Sequence, residues 1–533
     1  MREKTKMIRN FTKFIALFAI FAFVAVSGFA QDQAEMRNPI VIHAIAHDVS
    51  PALSSIPPVP RIAGVKRVVP NKRIPLPEQL ADAVAMRDAA IQSSAPVMSA
   101  PSVGKNIEGI GDTNYSILYS PPDTNGDVGL TQYVQTVNVG LAVWDKASGA
   151  MTYGPVDINT LWSGFGGGCQ GNNDGDAVVK YDKAANRWVI SQFSVSTTPY
   201  LQCVAVSTTS NATGSYYRYA FQYTQFNDYP KMGVWPDAYY VTYNMFTSSF
   251  QGAKVCAMDR AKMLTGAAAT QQCFQTSTSY GGLLPSDWYG ATAPPAGSPN
   301  YVMNYGSSKL NMWKFHVDFA TPANTTFTGP TAIPVTAFTA ACGGGTCIPQ
   351  SGTANKLDSL ADRLMNSLVY RNLGTSESMV VNHSVYVSKS KGKEVDGVRW
   401  YEIRLTGGNP SLYQQGTWTN NSDGKSRWMG SIAMDKVGNI GLGYSVSSPA
   451  MFPSIRYTGR VPGDTLGTMQ AETNVIDGSG YQKTGLTRWG DYSSMSIDPS
   501  DDCTFWFTTE YLKSNGYWNW STRINSFKFA TCN

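Results

Sequence analysis

From about residue 105 onward, apolar and polar residues alternate in short runs broken by Gly, Asn, Asp and Pro. Period-two runs of this kind predict strands with one face toward a core, and no amphipathic helix pattern interrupts them. The runs share a grammar. In "GDVGLTQYVQTVN", "GDAVVKYDKAANRWVISQF", "DYPKMGVWPDAYYVTYN" and "SDWYGATAPPAGSPNYVMNYG", a polar residue leads a strand, a turn follows, and a second strand ends in a polar or aromatic residue. The same order recurs in "ADRLMNSLVYRNLGTSESMVVNHSV", "RWMGSIAMDKVGNIGLGYSV" and "GDYSSMSIDPSDDCTFWFTTEY". The leads are Asp127, Asp176, Asp228, Asp287, Asp362, Arg427 and Asp491, spaced 49 to 75 residues apart.

Each unit then offers a third strand, such as "LAVWD", "CVAVST" or "RINSFKF", and most offer a more polar fourth, such as "YYRYAFQYT". Four strands repeated at this spacing predict an all-β fold, a seven-bladed β-propeller over residues 105–533. Radial closure is one of the few ways for so long an all-β chain to hide its strand edges. The last unit lacks an obvious fourth strand. "NIEGIGDTNYSILY" (residues 106–119), just before the first unit, is expected to supply it and close the ring.

The N-terminal part reads differently. Arg2, Lys4, Lys6, Arg9 and Lys13 precede the apolar run "FIALFAIFAFVAV", and Gly28 and Ala30 are small residues before a cut at Gln31. This predicts a signal peptide over residues 1–30 and a secreted or periplasmic location. No later stretch is long and apolar enough for a membrane span. Residues 31–104 are rich in Ala, Pro, Ser and Val, and predict a low-complexity tether or pro-segment with a short helix over 77–92. His43 and His47 have metal-like helical spacing but no third ligand beside them.

Most of the +5 net charge belongs to the leader, where five basic residues face Glu3. The near-neutral remainder argues against a nucleic-acid binder, which would carry a concentrated basic face. Eight cysteines, all between 169 and 532, read as disulfides in an exported chain. Their spacing suggests local pairs: Cys169–Cys203, Cys256–Cys273, Cys342–Cys347 and Cys503–Cys532. No cofactor motif is present. Asp123, Asn125 and Asp127 have the D-x-N-x-D spacing of a calcium loop, but Val128 and Val134 stand where an EF-hand needs Gly and Glu. A structural calcium there is an option. The alternative is an Asx-type turn that opens a strand, a device that "NNDGDA" (residues 172–177) repeats.

If the leads line one mouth of a funnel, acids on one arc face Arg–Trp pairs on another. Asp127, Asp176, Asp491, Tyr492 and Glu510 are candidate catalytic groups. Arg363, Arg427, Trp428, Arg488, Trp489, Asp287 and Trp288 are candidate substrate contacts, with Arg427, Trp428, Arg488, Trp489 and Asp491 expected in one concave site facing Asp127 and Asp176. Carboxyls can act as general acid and base, guanidinium forks clamp carboxylates, and indoles stack on sugar rings. In the alternative reading, Arg–Asp pairs only knit blade to blade.

"SIDPSDDCTFW" (residues 496–506) resembles the S-x-D-x-G-x-T-W Asp-box through Ser496, Asp498, Thr504 and Trp506, and "AMDKVGNI" echoes it through Asp435 and Gly438. On these motifs the blade region resembles the sialidase-like, Asp-box class of secreted bacterial propellers. The resemblance implies an arginine cluster for a substrate carboxylate, here Arg363, Arg427 and Arg488. It also implies a tyrosine–carboxylate nucleophile and an acid/base Asp, drawn from Tyr492, Glu510, Asp127 and Asp176. The Arg-Ile-Pro signature of that class is absent near the first unit. The expected function is binding or processing of an extracellular, acidic polysaccharide by a monomer, with a glycoside hydrolase or polysaccharide lyase as the enzymatic options. The other class is a non-enzymatic adhesion or binding protein.

Overall fold

The computed structural model describes residues 34–59, 66–76, 88–92, 101–390, 392–420 and 423–533. The expected leader lies outside the described residues. So does most of the helix expected over 77–92, of which residues 88–92 form a turn and a bridge from Ile91 to Thr417.

The fold is all-β, built from four-stranded antiparallel meanders. Their first strands are Asn125–Val128, Val178–Asp182, Phe226–Val234, Leu284–Tyr289, Met365–Asn372, Ser426–Met434 and Ser494–Ile497. Each first strand touches the next, and the last touches the first, so the seven form a closed ring. The fourth and fifth meanders are further joined by parallel pairing of their first strands, Ser286 opposite Leu368. In the last meander the fourth position is filled from the other end of the chain. Ser102–Gly111 pairs antiparallel with Trp520–Lys528, starting four residues before the segment expected to do so.

First strands splay from one another in such a ring, so their buried inner edges cannot all find backbone partners. Short polar side chains fill the gap. Asn125 Oδ1 accepts from Val179 N (3.0 Å), and Asp127 Oδ2 from Tyr181 N (2.8 Å), tying the first meander to the second. Asp287 Oδ1 accepts from Val234 N at 2.9 Å, tying the fourth to the third. Ser431 Oγ donates to Asn366 O and accepts from Met495 N, joining three meanders through one hydroxyl. Ser494 Oγ closes the circle on Gly126 O at 2.7 Å.

Residues 34–56, assigned by composition to a tether, do not hang free. Glu35–Arg37, Ile40–His43 and Ala46–Val49 add a fifth strand to the fourth, third and second meanders. Leu53, fully buried, plugs the core between the first two. Outer strands offer an unpaired edge, and the alternating "IVIHAIAHDV" fits it despite the flanking prolines. His47 stacks on Tyr219 there.

All four disulfides pair as the spacing suggests. Cys256 and Cys273 are directly opposite on adjacent strands, and Cys503–Cys532 brackets the last hairpin. Between meanders the faces are close-packed by aromatics. Phe505 and Phe527 lie parallel at 5.0 Å, and Tyr457 covers Phe527 at 4.0 Å. Gly441 and Gly443 on the sixth meander make room for these rings, since a Cβ at Gly443 would sit 2.5 Å from Phe507 Cδ1. Gly443→Val is therefore expected to destabilise the fold by about 2 kcal/mol through overpacking. Urea unfolding followed by circular dichroism checks this, and an unchanged midpoint would show that the two meanders can slide apart at no cost.

Candidate functional site

The backbone is kinked just ahead of some first strands and within others. Asp123, Asp176, Tyr229, Leu360 and Met429 all have φ between 45° and 58°, in the left-handed region. Asp and Asn tolerate this conformation better than other non-glycine residues, whereas Tyr, Leu and Met are strained there and must be held by their surroundings. The kinks bring the residues ahead of several first strands to one mouth of the ring. Asp123 and Asp176 each precede their first strand by two residues, so Asp123, not Asp127, is the counterpart of Asp176.

At that mouth the ammonium of Lys231 is sandwiched between two rings, 3.2 Å from the centroid of Tyr229 and 3.0 Å from that of Tyr492. The Tyr492 hydroxyl donates to Asp176 Oδ2 at 3.1 Å and lies 3.2 Å from Pro230 O. Arg363 holds Asp362 through Nε and Nη2 (2.7 and 3.0 Å) and lies over Tyr229. Arg488 Nη2 meets Asp491 Oδ2 at 2.7 Å, and its Nε donates to Val69 O. The backbone is locked to the same acids. Asp491 N donates to Asp123 Oδ1 at 2.7 Å, and Gly490 N to Glu510 Oε1 at 2.5 Å.

Burial sets the charge state of this cluster. Loss of solvent pushes Asp176 up to about 6 against the pull of Lys231, and pushes Glu510 up to about 8 against the Gly490 N–H. Asp228 is raised to about 8 by burial and by Asp176 beside it. Asp123 is raised by burial and by Asp491, and the Lys231 ammonium is pushed well below its ordinary range by burial. The cluster thus holds protonated carboxyls near neutrality. Two charged-group atoms of this cluster, Arg488 Nη1 and Asp491 Oδ1, are buried with no hydrogen-bond partner among the described residues.

Several expected site residues lie elsewhere. Arg427 is fully buried in ion pairs with Asp423 (2.7 Å) and Glu472 (2.9 Å), both on its own meander's side of the ring. Trp428 and Trp489 are buried against each other at 5.6 Å, and Trp288 is buried with its Nε1 bonded to Thr292 O, so none presents an open face to a sugar. Asp127 and Asp287 gather around Lys180, whose Nζ meets Asp287 Oδ2 at 2.8 Å, and both acids latch neighbouring strands. Neither faces Arg488. Arg363, Arg488, Asp176, Asp491, Tyr492 and Glu510 do come together at the mouth. Tyr229 joins them without having been singled out; its only signal is an aromatic directly after a lead acid in "NDYPK".

The donor set at Asp123, Asn125 and Asp127 does not fit a cation. Asp123 accepts from Asn138 Nδ2 and Asp491 N, Asn125 from Val179 N, and Asp127 from Val128 N and Tyr181 N. These oxygens point at separate backbone and amide donors instead of a common centre. Both Asp-box echoes form the turn between the first and second strands of a meander. Asp498 accepts from Trp506 Nε1, and Asp435 from Val437 N and Asn439 N.

No family model matches the chain, and no characterised protein matches it in sequence. Among solved structures it is similar to the α-L-arabinofuranosidase Arb93A from Fusarium graminearum, at 9% identity over 81% of this chain and 99% of that one, with a TM-score of 0.36. It is also similar to the WD40 domain of SCAP from fission yeast, at 10% identity over 81% and 97% with a TM-score of 0.30. An endo-arabinase from Bacteroides thetaiotaomicron aligns at 10% identity over 57% and 95%, with a TM-score of 0.24. At such scores these likenesses carry no weight for activity, which must be read from the residues of this chain.

Two outcomes separate the mouth cluster from the structural pairs. Arg427→Ala strands two carboxylates against a buried gap and should cost about 3 kcal/mol, seen as a lower urea midpoint. A midpoint within error of the native protein would make the pair dispensable. For Glu510, the folded protein holds its proton at about 8 while the unfolded chain releases it near 4.5. The stability linked to that proton is complete below pH 4.5 and is lost as pH rises through 8. Glu510→Gln keeps the acceptor for Gly490 and removes the titration. It should match the native protein at pH 4.5 and exceed it at pH 8; a constant gap between the two unfolding curves would contradict the assigned cause.

Proposed function

We propose that the ring is a seven-bladed β-propeller, exported from the cell, that binds an acidic glycan at the mouth built by Lys231, Tyr229, Tyr492, Arg363, Arg488 and Asp491. The observation that carries this reading is the pair of unpartnered buried atoms, Arg488 Nη1 and Asp491 Oδ1. A buried guanidinium N–H or carboxylate oxygen without a partner costs free energy that a bound ligand can offset. A sugar supplies what both need: a carboxylate for the guanidinium and hydroxyls for the acid. The Tyr–Lys–Tyr stack beside them is buried and holds the cationic groups of the mouth in place.

The pair of Tyr492 and Asp176 supports a hydrolytic version of the same reading. A tyrosine hydroxyl bonded to a carboxylate is the nucleophile that the sialidase-like resemblance implies, with Asp176 in place of the expected Glu510. Carboxyls still protonated near pH 7, such as Glu510 and Asp228, are suited to donate to a leaving group. Glycan binding is the conclusion; turnover is its extension.

Binding of acidic and neutral polysaccharides to the purified protein, with reducing-end release measured in parallel, tests both. Arg488→Ala should weaken an acidic glycan by about 1.5–3 kcal/mol, the range of a charge-assisted hydrogen bond, and leave neutral glycans less affected. Equal affinity in native protein and Arg488→Ala would remove the mouth as the site, and the outer loops would then be the contact surface.

A further inference from the structure

Residues 66–76, "KRVVPNKRIPL", cross the mouth in which the polar cluster sits. Arg67 and Val68 pair in parallel with Tyr119 and Ser120, just ahead of the first meander. Val69 O accepts from Arg488 Nε at 2.9 Å, at the seventh. Asn71 Nδ2 donates to Asp358 Oδ2 (3.0 Å), and Arg73 bonds the same carboxylate and Gly344 O, ahead of the fifth. Ile74 N lies 3.4 Å from Asp362 Oδ2, and its side chain, 6% exposed, seats against Gly281 and Gly282 at the start of the fourth. Lys72 reaches the third, its Nζ 3.9 Å from the Phe226 ring centroid. One short segment therefore reaches the entrances of five of the seven meanders.

Its chemistry is matched to what it covers. The segment carries Lys66, Arg67, Lys72 and Arg73 and no acid, and it lies on Asp358, Asp362 and Asp228. Its outer side is solvent, with Pro70, Arg73 and Pro75 exposed, while the cluster below it is almost entirely buried. The contact to Arg488 is the telling one. A backbone carbonyl occupies the Nε–H of the guanidinium whose Nη2 holds Asp491 and whose Nη1 is left without a partner.

We propose that residues 66–76 are an intramolecular cap that closes the mouth and competes with the ligand for Arg488, so that the cap must lift before the site can bind. This rests on the mouth being the binding site. A ligand binds more weakly, by the populated fraction, to a protein whose binding-competent state is only partly populated, so displacing the cap strengthens binding without adding any contact. Because the cap is held in part by charge at the surface, raised salt also loosens it.

Carboxyl labelling with a carbodiimide and glycine ethyl ester, read by mass spectrometry, reports on the cap independently of any glycan. In the native protein Asp228 and Asp491 should label slowly, while Asp477, whose side chain is 62% exposed, labels fast. Replacing residues 66–76 by a Gly/Ser run of equal length should raise labelling of Asp228 and Asp491 about tenfold, with Asp477 unchanged. The double variant Asn71→Ala/Arg73→Ala, which leaves the chain otherwise intact, should raise it to a lesser extent and covers the case in which the replaced chain fails to fold. Unchanged labelling of Asp228 and Asp491 in the variants that fold overturns the cap, since the blades themselves would then close the mouth. Faster labelling with no gain in acidic-glycan affinity leaves the cap standing and removes the glycan reading.

Discussion

A ring of strands that fan out from a centre leaves each innermost strand with one backbone edge that no neighbour can pair along its length. That edge is buried, so its N–H and C=O groups need partners of another kind. Here the partners are side chains of Asp, Asn and Ser on the adjacent first strand: Asn125 to Val179, Asp127 to Tyr181, Asp287 to Val234, Ser431 to Met495 and Ser494 to Gly126. Much of the polar character of the ring's interior follows from this. The exception supports the rule, because the fourth and fifth first strands approach closely enough to pair directly.

The same residue types serve two ends of the channel differently. Asp127 and Asp287 have each oxygen committed to a backbone N–H or to Lys180, which leaves them no freedom to meet a ligand. Asp176, Asp491 and Glu510 lie around a stacked Tyr–Lys–Tyr core, where burial pushes Glu510 up to about 8 and leaves Arg488 Nη1 and Asp491 Oδ1 unpartnered. Asp127 and Asp287 are satisfied; Asp491 at the mouth is not. Charged groups brought together in low dielectric without full pairing are the arrangement expected of a binding or catalytic site.

The N-terminal segment ties these features together. Its first strands lengthen three outer edges, and its middle lies over the mouth. Ser102–Gly111 then completes the last meander and joins the two ends of the chain, as Cys503–Cys532 does for the final hairpin. Completion of the last meander by a strand that precedes the first makes the stability of the last meander depend on the first.

Strands, their grouping in fours and the local disulfides were legible in the chain because each rests on contacts between residues near in sequence; the ring-closing strand, whose partner Trp520–Lys528 lies at the far end of the sequence, was legible only because the last unit lacked a fourth strand. Period-two alternation needs only the pleat, and Cys256 meets Cys273 across one hairpin. The acids ahead of the first strands were visible for the same reason. Which of them gather at the mouth was not. Asp176 meets Tyr492 across a separation of 316 residues, and Arg427 meets Glu472 across 45, so ring closure and burial alone decided that the first pair lies at the mouth and the second is sealed in a meander. The Trp residues read as sugar platforms became core for the same cause: neighbouring meanders pack face to face and cover them. Composition also concealed the N-terminal strands, since an edge strand takes its hydrogen bonds from a partner that forms only once the rest of the ring has folded.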